Sequence, residues 1–197
     1  RFTRGMLVDG RFRLEQLVGK GGFGEVWRAT QIVADAPVGT VALKLLRAPE
    51  DVGPVSGSEG SGSEGRHEWL NEVRAVRKVD CPAITKVYDV NITREPMLTA
   101  FIAMELLEGQ TLAQRLADGG SLYWRRALEI GRTIAVALAA CHRDGVFHCD
   151  LKPENVFLLD DGSVRVLDFG VAALGGEHRR TQLPPASEAA PLSSDMA

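Results

Sequence analysis

Apolar residues recur with strand-like spacing over "FRLEQLVG", "GEVWRATQI" and "GTVALKLL", each short, rich in β-branched or aromatic residues and bounded by glycine. This pattern predicts three strands between Phe12 and Ala48. Residues 48–65, "APEDVGPVSGSEGSGSEG", form a Gly/Ser/Glu-rich run that reads as a mobile surface loop. From Arg66 to Val79 the period changes: Trp69, Leu70, Val73, Val76 and Val79 fall at helical spacing with charges between them. "ITKVYDVNI" and "MLTAFIAMELL" return to strand character, joined by a polar turn containing Pro96.

After Gly109 the character shifts. "QTLAQRLADGG" predicts a short helix ended by glycines, and residues 122–144 a long amphipathic helix closed by Gly145. Two short strands follow, around the turn Asp160-Asp161-Gly162. From Gly175 the chain has no periodicity and reads as disordered. The order is five strands with one helix inserted, then a mainly helical part: an α+β chain with two segregated lobes and no internal repeat.

Composition narrows the function classes without choosing among them. The chain has 197 residues, 45% hydrophobic and 25% charged, as in an ordinary globular protein. A formal net charge of −3 gives no reason to expect nucleic acid as a partner. Cys81, Cys141 and Cys149 are odd in number and lack a C-x-x-C spacing, which argues against a disulfide framework or zinc site and fits a reducing, cytoplasmic setting. The longest apolar stretch, "IGRTIAVALAAC", contains Arg132 and falls short of the ~20 residues of a membrane span. The chain opens Arg-Phe-Thr-Arg with no initiator Met, so the expectation is a piece of a longer protein that could itself be membrane-anchored.

Three stretches carry candidate chemistry. Gly19-Lys-Gly21-Gly22-Phe-Gly24 lets backbone approach a polyphosphate, since glycine has no Cβ and successive N–H groups attract anions. A strand follows it, and Lys44 stands twenty residues on, which excludes the dinucleotide-binding version. In "VALKLL", alternation sets Val41 and Leu43 on one face and Ala42 and Lys44 on the other. A lysine on a buried face needs an anion, either a phosphate or a carboxylate, because a desolvated ammonium is costly. Glu72, on the apolar stripe of the first helix, is the leading carboxylate and Glu68 the second. An edge-strand lysine facing water stays open on this stretch alone. "GVFHCDLKPENVFLL" gathers Asp150, Lys152, Glu154 and Asn155 between apolar runs, and Asp168-Phe169-Gly170 places a carboxylate at a strand end. Such oxygens suit Mg²⁺; plain loop residues are the alternative for each.

Taken together and in order, the motifs over residues 12–172 resemble the eukaryotic-type Ser/Thr protein kinases, including their bacterial members. The resemblance implies a protein-kinase-like two-lobed fold: an N-lobe over 12–107, a partial C-lobe over 108–174, and an activation segment over 175–197. It implies ATP and Mg²⁺ as cofactors and a protein with a Ser/Thr acceptor as partner. By the same resemblance Gly19, Gly21 and Gly24 cover the phosphates, Lys44 holds them and pairs with Glu72, and Asp150 handles the acceptor hydroxyl. Lys152 reaches the transferring phosphate, and Asn155 and Asp168 hold the metal. Val26, Ala42 and Phe157 sandwich the adenine beside Met104 and the hinge Glu105-Leu106-Leu107. Val76, Val87, His148 and Phe169 stack between the lobes.

The chain departs from this family twice. The family's His-Arg-Asp reads His148-Cys149-Asp150, and cysteine cannot pair with a phosphorylated activation-loop residue, so Thr181, Ser187, Ser193 and Ser194 lack the usual receiver. The family's Ala-Pro-Glu is absent: Ala190-Pro191 is followed by Leu192 and the chain ends five residues later. The expectation is a parent kinase cut within its activation segment, leaving a long helix without packing partners and a piece inactive by itself. The competing functions are a pseudokinase, a naturally short regulatory piece, and a small-molecule kinase of the antibiotic-phosphotransferase type. The complete catalytic set argues against the first and the "KPE" run against the last.

Overall fold

The computed structural model describes residues 1–21, 24–46, 77, 79–97 and 99–169. The polar loop of residues 48–65, nearly all of the helix expected over 66–79 and the segment from Gly170 onward lie outside the described residues, and Glu68, Glu72 and Val76 with them. At the expected end of that helix, Val79 and Asp80 are not helical.

Strands β1 (Leu7–Val8), β2 (Phe12–Gly21), β3 (Gly24–Val33), β4 (Ala36–Leu46), β5 (Val87–Thr93) and β6 (Thr99–Met104) form one antiparallel six-stranded sheet, ordered β1-β2-β3-β4-β6-β5. The sequence pattern anticipated five of them. β1 precedes the expected start at Phe12 and pairs Leu7 with Arg13 and Val8 with Phe12. Alternation decides the two faces. Phe12, Leu14, Trp27, Ala29, Val41, Leu43, Leu45, Phe101 and Ala103 pack on one, joined by Val8 from β1 and by Phe2 and Met6. Leu46, Val90, Ala100 and Ile102 form a second cluster. With both faces covered, β4 reads as a continuous apolar run from Val41, and Lys44 is caught inside it at 6% exposure.

The second part holds a three-stranded sheet, β7 (Gly109–Thr111), β8 (Val156–Leu159) and β9 (Val164–Val166), with helices α1 (Leu112–Gly119) and α2 (Trp124–Arg143). Thr111 starts α1 through a capping box: its hydroxyl accepts from Gln114 N at 3.1 Å while Gln114 Oε1 accepts from Thr111 N at 2.8 Å. On α2, Ile130, Ala137, Ala140 and Cys141 form the buried stripe, and His142 and Arg143 sit in the last turn, where positive charge opposes the helix dipole favourably. Trp124, Leu128 and Val136 on the same helix are more than half exposed. A type of seam joins the two parts: the chain ahead of β5 runs beside β9, with Val166 N donating to Ala83 O at 2.8 Å and Thr85 N to Val166 O at 3.1 Å.

Candidate functional site

β-sheet register sets one wall. Val26 pairs with Lys44, Ala42 with Met104, and Lys44 with Ile102, so Val26, Ala42, Lys44 and Met104 share the face opposite the main core cluster. Gly19 pairs with Val26 and Gly21 with Gly24 at the end of the β2–β3 hairpin. The three glycines differ in why they are there. Gly24 has φ +145°, and a Cβ on it would run into the Leu45 carbonyl, so the backbone itself demands glycine. A Cβ at Gly19 or Gly21 would meet nothing, so packing within the chain does not explain them.

The other wall comes from the polar stretch after α2. Gly145, at φ +71°, turns the chain out of the helix. His148 is buried against Phe169, their rings 4.6 Å apart, and its Nε2 donates to Leu167 O at 2.8 Å. Nδ1 accepts from Asp150 N at 3.3 Å, which fixes the neutral tautomer. Burial pushes the His148 pKa down, against the hydrogen bond to Leu167. Cys149 between them is exposed and takes φ +59°, a left-handed conformation that places Asp150 N over His148.

Asp150, Lys152 and Asn155 converge. Lys152 Nζ lies 2.7 Å from Asp150 Oδ2, and Asn155 Nδ2 donates to Asp150 O at 2.8 Å and to its Oδ2 at 3.2 Å. The hydrogen bond from Lys152 is the main reason the Asp150 carboxyl titrates below the usual range; the same contact holds the Lys152 ammonium above its own. Pro153–Asn155 form a single helical turn that buries Asn155. Leu167 bridges to the remaining carboxylate, since its N donates to Asn155 O at 2.9 Å and its O accepts from His148. Asp168 then leaves β9 at φ +60°, a second left-handed residue other than glycine in the same place.

Asp168 closes the gap between the walls: its Oδ2 lies 2.6 Å from Lys44 Nζ. The carboxylate anticipated for Lys44 was Glu72, which lies outside the described residues; the partner found is Asp168. The Glu105 side chain turns into the protein, where Oε1 accepts from Lys86 N at 2.9 Å and lies 3.5 Å from Arg165 Nε. Phe157 pairs with Arg165 across β8 and β9 and so shares its face, toward Glu105.

The residues fit ATP and Mg²⁺ on three observations. Glu105 N is bonded to Lys86 O, but among the described residues the Glu105 carbonyl and the Leu107 N–H have no partner, which leaves an adjacent acceptor and donor for the edge of a purine. Gly19 and Gly21 of the hairpin face open space. Asp168 and the amide oxygen of Asn155, whose Nδ2 is already committed to Asp150, are hard oxygen donors. No group of three or more His, Cys, Asp or Glu side chains suited to a metal occurs among the described residues. Sequence reasoning passed over Val18, beside Gly19 and 58% exposed at the hairpin, where an apolar residue covers no core. It was legible as the apolar residue immediately before the glycine cluster.

Comparison with known proteins agrees with this geometry. The family model described as protein kinase domain matches residues 12–187. The chain is 34% identical to the serine/threonine-protein kinase PknH of Mycobacterium bovis over 174 residues, covering 88% of this chain and 27% of the relative. It is 30% identical to the serine/threonine-protein kinase PrkC of Bacillus subtilis over 168 residues, covering 85% of this chain and 24% of that one. With PknL of Mycobacterium tuberculosis the identity is 33% over 170 residues, covering 84% and 38%. The chain thus spans between a quarter and two-fifths of the length of these relatives. Among the described residues no helix is long and apolar enough to cross a membrane.

Proposed function

The chain belongs to the protein kinase domain family, and from that premise we propose that it carries the Mg-ATP site of a serine/threonine-protein kinase, whose parent phosphorylates protein hydroxyls. In this reading residues 12–107 make the nucleotide-binding lobe, 108–174 the catalytic part and 175–197 the start of the activation segment. The observation that carries it is the 2.6 Å contact of Lys44 with Asp168 across the seam, beside the Asp150–Lys152–Asn155 cluster. Mg-ATP, when bound, supplies the transferable phosphoryl group and the charge that neutralises it.

The chain's residues do the positioning on which phosphoryl transfer depends. Val18, Val26, Ala42, Met104 and Phe157 offer apolar surface to the base, and the Glu105 carbonyl and Leu107 N–H meet its edge. Gly19, Gly21 and Gly24 would cover the phosphates, Lys44 would bind them, and Asn155 with Asp168 would hold the metal. Glu72 is the carboxylate that takes Lys44 in turn when Asp168 engages metal. Asp150 orients the acceptor hydroxyl. Held below the usual carboxylate range by Lys152, it is a weak base at rest. With Lys152 engaged by a bound phosphoryl group, Asp150 would gain the basicity to take the hydroxyl proton. Incubation of the parent kinase with Mg-ATP and a Ser/Thr-rich acceptor protein, using its Asp150→Asn variant as control, tests this. Phosphoserine or phosphothreonine formed by the wild type and lost in the variant is expected; equal transfer by both contradicts the assignment.

A further inference from the structure

Two of the three cysteines share one apolar cluster, at a place the proposed reaction does not use. Cys141, on α2, is fully buried in a cluster with Ala83, Ile84, Val146, Val166 and Phe169, and Cys81 packs against that cluster from the segment ahead of β5. Burial pushes the Cys141 thiol up to about 11, and the next largest cause is the thiol of Cys81. Cys81 is partly exposed and lines a cavity of about 310 Å³, together with Val79, Ile84, Lys86, Glu105 and Arg165, so one member of the pair is open to a small oxidant and the other is sheltered.

We propose that Cys81 and Cys141 form a redox pair which a hydroperoxide converts to a disulfide between the segment ahead of β5 and α2. Asymmetry of burial assigns the order. The Cys81 sulfur attacks the peroxide, the O–O bond breaks, water leaves, and Cys81 becomes a sulfenic acid. The Cys141 sulfur then attacks Cys81, the S–O bond breaks, and the departing hydroxide takes the Cys141 proton as a second water. Two thiols are oxidised by two electrons and one hydrogen peroxide is reduced to two waters. Protonated at rest, Cys141 is protected from direct oxidation and acts only as the resolving thiol. Transient bonds of this kind are compatible with a reducing compartment. The bond would close a loop containing β5, β6 and α1 and fix the cluster that seats Phe169, the residue after Asp168. Its formation does not depend on the kinase reading.

The full chain in its Cys149→Ser form, which removes the exposed third thiol, is treated with hydrogen peroxide, alkylated and mapped by mass spectrometry without reductant. The expected product is the Cys81 and Cys141 peptides joined and two hydrogens lighter, with a raised urea midpoint that returns on adding dithiothreitol. Cys81→Ser, at a partly exposed position, should abolish the joined peptide. Unjoined peptides carrying sulfinic acid would overturn the proposal, as would alkylation of both thiols after peroxide. So would a wild-type chain in which Cys81 joins Cys149 instead, because Cys141 would then not be the resolving thiol.

Discussion

Lys44 and Asp168 belong to different parts of the fold, β4 of the large sheet and the turn after β9, yet their charged atoms lie 2.6 Å apart, with Lys44 almost wholly buried. Breaking a buried pair costs most when the deeper charge is stranded. Asp168→Asn, which tolerates the left-handed backbone, leaves the Lys44 ammonium without its carboxylate and should lower stability by about 3 kcal/mol. Lys44→Met leaves only a carboxylate that is a quarter exposed and still hydrated, at a cost nearer 1 kcal/mol. Urea denaturation of the two variants checks the order; equal losses would mean that Lys44 is not held by Asp168.

The Asp150 carboxyl is held down chiefly by Lys152. A folded-state value below the unfolded one gives stability that is present above the ordinary carboxylate range and lost as pH falls through it. Lys152→Met should therefore move the Asp150 titration upward, followed by carbon-detected NMR of the aspartate side chains, and shift the acid limb of any transfer activity in the same direction. An unmoved Asp150 titration would remove Lys152 from this role.

His148 behaves likewise with opposite charge. Burial lowers its pKa, so the unfolded chain takes up its proton first, and the folded state loses stability as pH falls below about 6.5. His148→Phe keeps the ring against Phe169 but leaves Leu167 O without its donor. The variant should be about 1 kcal/mol less stable at neutral pH, with a flatter decline on acidification in denaturant titrations at several pH values.

Two valines separate folding from binding. Val8 is fully buried in the main core cluster, and Val8→Ala should cost about 2 kcal/mol. Val18 is mostly exposed, so Val18→Ala should change stability by less than about 0.5 kcal/mol while weakening nucleotide binding. Thermal melts with and without Mg-ATP read both effects.

Much of this was legible in the chain because local rules and global fold agree. Period-two alternation located β2 to β6, and it set Ala42 and Lys44 on the same face before any pairing was known. The turn at Gly162 and the helix stop at Gly145 are each local chemistry, and each held. Three features were harder. β1 is only two residues long and gains its place by pairing with β2, so it has too little pattern of its own, although Asp9-Gly10 signals the turn. The partner of Lys44 depends on where two distant segments meet, which spacing cannot fix. Cys81 and Cys141 are sixty residues apart and come into one cluster only because the chain ahead of β5 runs along β9.

The account stands or falls on whether the Lys44–Asp168 seam is a Mg-ATP site, and the most direct measurement is the thermal melt of this chain with saturating nucleotide. At about a hundred times its dissociation constant a ligand adds roughly 2.7 kcal/mol, which corresponds to about 5 to 11 °C for a chain of this size. The account predicts a cooperative melt with a shift of that order, dependent on Mg²⁺ and largely lost in both Lys44→Met and Asp168→Asn. A cooperative melt that Mg-ATP leaves unmoved, or moves as far in the two variants as in the wild type, would contradict it.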